Sequence, residues 1–249
     1  MLEYCYMADI SSAGRLRIAG DQALEFIKTM TTAEVAALHQ LGGHIVSLIL
    51  NGESGVIDQV TIIRTGDLEY MMVTSPATKD EVHDWLKAHA ELTDEQGELF
   101  GDLTLTEESE ALSATALFGP GSAAILDELS GHTLDEMPKT GSLSLLRLDT
   151  VTTLVFSPSS FQDEGFELFC PPETINGLNC ALLSFPEVVL LDEEGYVGIR
   201  REMGSWFDAD SSEYIYPDSA GLMHLVRPSM DFVGGSALTR RLADCQTTI

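Results

Sequence analysis

Leu48-Ile49-Leu50-Asn51-Gly52-Glu53-Ser54-Gly55-Val56-Ile57-Asp58-Gln59-Val60-Thr61-Ile62-Ile63-Arg64 reads as strand, tight turn, strand. The turn runs from Gly52 to Gly55, His44 to Leu50 forms the first strand, and Val56 to Arg64 its hairpin partner. The hairpin carries Asp58 into a run of aliphatics. A charge in such a place is costly unless it has a partner or a task.

Outward from the hairpin, strands and helices alternate. Arg15 to Ile18 reads as a strand. A helix follows Gly20-Asp21, with Ala23, Leu24, Phe26, Ile27 and Met30 at helical spacing and Asp21 as N-cap. The pattern predicts a short second helix over Thr32 to His39, broken by Gly42-Gly43, a strand over Leu68 to Thr74, and a helix from Ser75-Pro76 to about Ala90. In the second half, Leu103 to Leu117 reads as mainly extended. A helix follows over Ser122 to Leu129, then strands over Leu143 to Leu148, Thr152 to Phe156 and Phe166 to Cys170, and a helix from Pro171 to about Leu183. The predicted class is α+β, with two similar β-α-β-β-α type halves over residues 1–100 and 101–249.

The chain has 249 residues, with 40 Asp plus Glu against 13 Lys plus Arg and a net charge of −27. That balance argues against nucleic acid and against an anionic membrane surface. Only four of the cations are lysines (Lys28, Lys79, Lys87, Lys139), a pattern suited to hydration in a halophilic cytosol. No signal peptide and no membrane span is predicted, so the expected compartment is cytoplasmic. Cys5, Cys170, Cys180 and Cys245 form no C-x-x-C motif, and Cys170 and Cys180 are expected in the core. The six histidines show no metal-ligand spacing, and no metal is predicted.

Six segments in order resemble the aminomethyltransferase (glycine-cleavage T-protein) family. Asp9-Ile10-Ser11-Ser12-Ala13-Gly14 resembles its D-V-S-x-x-G entry, and Arg15 to Thr32, closing in Met30-Thr31-Thr32, its helix that ends in L-T-T. Asn51 to Val60 resembles its N-x-x-G-G-I-x-D-D-L hairpin, and Leu117-Phe118-Gly119-Pro120 its L-x-G-P-x-A. Asp163 to Leu168 resembles its G-E-D-G-F-E, and Asp231 to Leu238 its D-F-I-G-K-E-A-L. The resemblance implies a folate-binding core of α+β units around a central tetrahydrofolate channel. The family's N-terminal segment and C-terminal barrel find no counterpart in the sequence. A partner subunit, or a second copy of the chain forming a homodimer, is one expected substitute.

The resemblance also implies site residues. Glu167 matches the carboxylate that grips the pterin; one carboxylate accepts two hydrogen bonds from an aminopyrimidine edge. The family's catalytic acid is the second aspartate of its D-D pair. Asp58 matches the first and Gln59 the second. Gln59 cannot shuttle a proton as a carboxylate does, though it can hydrogen-bond a folate nitrogen. Asp58 reads equally as catalytic or as a structural acceptor, and a one-residue slip alone would put it on the other face of the sheet. Asn51, Arg200 and Trp206 complete the expected folate contacts; Trp206 is either a stacking wall or core.

Several departures accompany Gln59. Val46 and Ile63 stand where the family has tyrosines, and Val73-Thr74-Ser75-Pro76-Ala77 replaces its V-N-A-A-N. Ser160-Phe161-Gln162-Asp163-Glu164 replaces Y-T-G-E-D, and Tyr196 falls at the arginine of G-A-R-D when Arg200 to Gly204 is matched to R-L-E-x-G. The K-G-C-Y-x-G-Q-E motif of the folate-binding iron–sulfur assembly branch is absent. Two functions are therefore expected in competition: a tetrahydrofolate-dependent methyl or aminomethyl transferase, with Glu167 on the pterin and Asp58 or Gln59 at the reacting nitrogens, and a non-catalytic folate-binding subunit or regulatory module working with a partner one-carbon enzyme. An unrelated ligand on a persisting fold is the third.

Overall fold

The computed structural model describes residues 4–94, 97–134, 137–161, 164–202 and 215–247. Thirteen strands and six α-helices are described. In chain order they are β1 (Cys5–Asp9), β2 (Gly14–Ala19), α1 (Ala23–Met30), β3 (His44–Leu50), β4 (Val56–Gly66), β5 (Glu69–Thr74), α2 (Lys79–Ala90), β6 (Thr93–Asp94), β7 (Gly97–Glu98), β8 (Thr104–Glu107) and β9 (Ser113–Phe118). Then come α3 (Ser122–Leu129), β10 (Leu143–Leu148), β11 (Val151–Phe156), β12 (Gly165–Cys170), α4 (Pro172–Leu183), β13 (Val188–Leu191), α5 (Glu193–Glu202) and α6 (Gly235–Thr247). The expected α+β class holds. Each half carries one strand more than the expected order: β2-α1-β3-β4-β5-α2 in one and β9-α3-β10-β11-β12-α4 in the other.

Two compact units result. One comprises Met1–Ser12, Leu41–Gly43 and Glu108–Trp206; the other comprises Ala13–Gln40, His44–Glu107 and Phe207–Ile249. The main division thus falls at 107/108 rather than at 100/101, and both chain ends cross it. Pairing explains the crossing at the N-terminus. β1 hydrogen-bonds to β9 and β13, not to β2, the strand that follows it in sequence, while β8 joins β2.

In the unit built around the hairpin, the sheet order is β3-β4-β5-β2-β8, antiparallel throughout. Leu16, Ile18, Ile49, Val60, Ile62 and Met72 pack with Phe26 and Ile27 of α1 and Val82 and Leu86 of α2. The opposite face of β3 and β4 is covered differently: Leu48 and Leu50 pack on Phe232 and Leu238 from the C-terminal segment. In the other unit the order is β10-β11-β12-β9-β1-β13, with β1 and β13 parallel. There Leu117, Val155, Phe166 and Leu168 form the core with Leu126, Leu178 and Leu182 of α3 and α4.

Three local expectations are corrected. The helix expected over Thr32 to His39 shrinks to a 3-10 turn, Val35–Ala37. Thr32 is responsible. Its buried hydroxyl accepts from the Leu48 amide (3.0 Å) and donates to the Leu225 carbonyl (2.9 Å), which ties the segment to β3. Such side-chain bonds compete with helix formation. Asp21 does not cap α1; Gln22 holds the cap position without a side-chain bond. Cys180 is exposed, because α4 turns Leu178 and Leu182 inward, while Cys170 is buried as expected.

Candidate functional site

The hairpin sets its candidates by parity. Paired strand residues share a face and neighbours along a strand alternate. Asp58 pairs with Ile49, whose side chain belongs to the helix-covered core, whereas Gln59 pairs with Leu48 on the opposite face. Asp58 is wholly buried at the start of α2. Its carboxylate accepts the Ser75 amide (2.8 Å), the Ser75 hydroxyl (2.6 Å) and the Gln59 amide (2.8 Å). Burial raises its pKa above the usual carboxylate range; the Ser75 hydroxyl and amide, Thr78 and the Gln59 amide pull the other way. By geometry the Thr78 hydroxyl oxygen meets no hydrogen-bond partner, so the Ser75 and Gln59 donors are the contacts that hold Asp58.

Gln59 is half-buried on the face away from the helices. Val46 pairs with Thr61 and Ile63 with His44, so both positions where tyrosines were expected lie on that same face as Gln59. Asn51 is committed to the turn: its Oδ1 accepts the amides of Glu53 (3.0 Å) and Gly55 (2.9 Å), and its own amide donates to the Gly55 carbonyl (2.8 Å). The register shows no slip that would exchange Asp58 and Gln59; the one irregularity lies at Ile49/Leu50, beside the turn.

Glu167 and Arg200 belong to the other unit and are brought together there. Glu167 pairs with Ala116 and Phe156, on the face of β12 opposite α3 and α4. On that face Phe118 and Phe161 stack at 4.8 Å with planes 5° apart, joined by Tyr196 edge-on to Phe118 at 5.9 Å. Arg200 lies over the Phe161 ring at 4.9 Å and donates to the Ser160 hydroxyl at 2.8 Å. Tyr196 and Arg200 are four apart on α5, so one helical face presents both. Burial pushes the Tyr196 phenol up to about 12, with Arg200 pulling it down and Glu167 pushing it further up. The phenol is therefore neutral and a hydrogen-bond donor at any ordinary pH. Trp206 lies outside the described residues, as do Gln162, Asp163, Met203 and Gly204 of the matched segments.

One functional-looking residue escaped sequence reasoning. Arg227 is buried and donates to the carbonyls of Lys28 (2.7 Å), Thr31 (2.7 Å) and Ala33 (3.0 Å), to Asp231 Oδ1 (2.7 Å) and to the Asp231 carbonyl (3.1 Å). It satisfies the orphan carbonyls at the end of α1 and lies over the Phe232 ring at 4.9 Å. An Arg four residues before an Asp, in Arg227-Pro228-Ser229-Met230-Asp231-Phe232, was the available signal. Among the described residues no group of His, Cys, Asp and Glu could hold a metal, and no helix is long and apolar enough to cross a membrane.

Known proteins agree with this architecture. The chain is 26% identical over 244 residues to an aminomethyltransferase of Geobacillus sp., covering 94% of this chain and 63% of that protein. It is 25% identical over 251 residues to an aminomethyltransferase of Clostridium botulinum, covering 95% and 63%. The chain thus spans less than two thirds of the length of these relatives. The crystal structure of glycine cleavage system aminomethyltransferase T from Bartonella henselae superposes with a TM-score of 0.79 at 20% identity, over 97% of this chain and 64% of that one, which shows the fold. A family model described as the GCVT N-terminal domain matches residues 1–229, and the chain belongs to that family.

Proposed function

We propose that this chain binds a reduced folate and acts as an aminomethyltransferase-like protein in one-carbon transfer to tetrahydrofolate. The observation that carries the reading is the group of Glu167, Tyr196 and Arg200 beside stacked Phe118 and Phe161 on one face of one sheet. Its chemistry fits a pterin: Glu167 accepts from an aminopyrimidine edge, the neutral Tyr196 phenol donates, and flat apolar rings lie alongside. Arg200, fixed by Phe161 and Ser160, adds a cationic donor to the same group. Tetrahydrofolate itself supplies the nitrogens that carry the one-carbon unit. The chain's share of the rate is then mainly positioning.

A second reading, a non-catalytic folate-binding subunit that works with a partner or a second copy, is favoured by the hairpin. Asp58 is held on the helix side by three donors, and the residue turned the other way is an amide, not an acid. Titration of the purified chain with tetrahydrofolate tests both. Saturable binding that weakens about tenfold or more in Glu167→Gln supports the folate reading; no binding at high micromolar ligand refutes it. Among binders, formation of a one-carbon-substituted tetrahydrofolate by the chain alone selects the transferase. Transfer that appears only with a co-purifying subunit selects the second reading.

A further inference from the structure

Sheet edges expose backbone groups that recruit another strand unless something guards them. Three of the four edges of the two large sheets are guarded. β3 is closed off by its neighbours in sequence: Thr31 bridges to Ile49, the Thr32 amide donates to the Leu48 carbonyl (3.1 Å), and the Thr32 hydroxyl accepts the Leu48 amide (3.0 Å). β8 ends in Glu107, with Glu108 after it. β13 is bracketed by Glu187 on one side and Asp192, Glu193 and Glu194 on the other. β10 has none of these guards. In a chain with 40 acids, Pro138 to Leu148 contains no acid. The β10 ladder to β11 runs from Leu143 to Leu148 without a bulge, and Leu145 is 70% exposed, more than any other large apolar side chain described.

The hairpin fixes which groups of β10 point outward. Leu148 and Val151 close a two-residue turn at Asp149-Thr150, and the closing pair of such a turn is hydrogen-bonded across the ladder. Parity then turns the backbone groups of Ser144, Leu146 and Leu148 towards β11, in keeping with the Ser157 amide donating to the Ser142 carbonyl (3.2 Å). The N–H and C=O groups of Leu145 and Arg147 point the other way and meet no hydrogen-bond partner among the described residues. The strand's start is covered by Gly42, where an added methyl would stand 2.3 Å from the Leu143 nitrogen. The open run is therefore Ser144 to Leu148, centred on Leu146.

We propose that β10 pairs antiparallel with β10 of a second copy of this chain, about a two-fold axis at Leu146, which joins their two sheets edge to edge. In that register Leu145 of each copy stands opposite Arg147 of the other, and the outward groups of these residues supply the hydrogen bonds. The aliphatic stem of Arg147 covers the exposed Leu145 side chain. Two observations favour a second copy over an unrelated strand. The two-fold axis lets one open run serve both sides with no like charges directly opposite. The run itself carries no acid, so the net charge of −27 opposes the approach from beyond the paired residues, where salt screens it. The contact is short, below the ~1,200 Å² of a standard interface, so the association is reversible.

Sedimentation velocity from about 10 µM to about 500 µM protein, at about 0.1 M and about 2 M KCl, tests this. The expected result is a monomer–dimer equilibrium that salt displaces towards dimer. Leu145→Lys sets a like charge opposite Arg147 of the second copy and weakens the dimer about tenfold or more. Leu145→Glu sets an opposite charge there and retains it. Leu190→Lys, on the exposed β13 edge, leaves it unchanged. Amide exchange of the wild-type chain is a second readout that needs no substitution: protection at Leu145 and Arg147 rises with protein concentration. A monomer throughout in high salt, a dimer indifferent to Leu145→Lys, loss of the dimer in Leu145→Glu or Leu190→Lys, or concentration-dependent protection confined to other strands overturns the proposal.

Discussion

Replacing Asp58 by alanine tests whether this carboxylate is architecture or chemistry. The substitution strands the Ser75 amide, the Ser75 hydroxyl and the Gln59 amide at a wholly buried point, next to the first turn of α2. Each stranded donor costs about 1–1.5 kcal/mol, so the gross loss is roughly 3–4 kcal/mol. Part returns, because a buried charge is removed and burial is the largest influence on Asp58. The net expectation is about 2–3 kcal/mol, or a melting temperature lower by roughly 4–12 °C for a chain of this size. Asp58→Asn, with one carbonyl oxygen left to accept, loses about half as much. Acidity gives an independent sign. A carboxyl whose folded pKa is raised contributes most stability below its unfolded pKa, and that contribution fades as pH rises through the folded value. Wild type therefore gains on Asp58→Asn as pH falls from neutral towards 4, the ordinary carboxylate range. Urea titrations of the three proteins at several pH values measure it, alongside tetrahydrofolate titrations. Asp58→Ala as stable as wild type, or wild type losing ground to Asp58→Asn on acidification, refutes the architectural account. Full stability of Asp58→Asn with abolished transfer would return Asp58 to the chemistry.

Three further outcomes are expected. Arg227→Met, which leaves the carbonyls of Lys28, Thr31 and Ala33 without their donor, costs about 3–5 kcal/mol by chemical denaturation, and a loss under about 1 kcal/mol would show that these bonds are not formed in solution. Gly165→Ala puts a methyl 2.7 Å from Cβ of both Phe118 and Phe161; overpacking of about 1–3 kcal/mol follows, with weaker tetrahydrofolate binding as the rings beside Glu167 shift. With 40 acids against 13 bases, the melting temperature rises between about 0.1 M and about 1 M KCl, as the screening length falls from ~10 to ~3 Å; a flat or falling curve rejects an adaptation to high salt.

The sequence made local features legible and distant pairings illegible. The β3–β4 hairpin could be read because aliphatic runs flank a turn rich in Gly and Asn, and α3 could be read to the residue because Gly119-Pro120-Gly121 announces it. β1 and β13 could not. Each is short, and β1 finds its partners at Thr115 to Phe118 and Val188 to Leu191, more than a hundred residues away. α5 and α6 were met only as motif segments, since glycines and clustered charge hide their helical period: Glu194-Gly195-Tyr196-Val197-Gly198 carries two glycines in five residues. Among the candidates, Glu167 and Arg200 were named separately from the sequence; their shared face required the pairing of β12 and the placement of α5 against its sheet. Asn51 was named for a ligand, and its Oδ1 is occupied by its own turn.

Adjacent residues on a strand answer to different constraints, and this hairpin separates them. Asp58 faces the helices, where any replacement disturbs the start of α2, so that position answers to folding. Gln59 faces away, so that position is free to answer to a ligand. Within the hairpin, the second face carries Gln59 where the family pattern has an acid and Val46 and Ile63 where it has tyrosines; on the helix side, Ser75 belongs to the segment that replaces V-N-A-A-N and donates to Asp58. An amide at position 59 flanked by Val46 and Ile63 is what a changed ligand or an abandoned acid–base step would leave on that face. Gln59→Asp discriminates between these. If the fold still receives the one-carbon substrate, the restored carboxylate raises transfer by the roughly 10²–10⁴-fold of a positioned acid or base; if the apolar Val46 and Ile63 have redefined the site, it changes nothing but the charge.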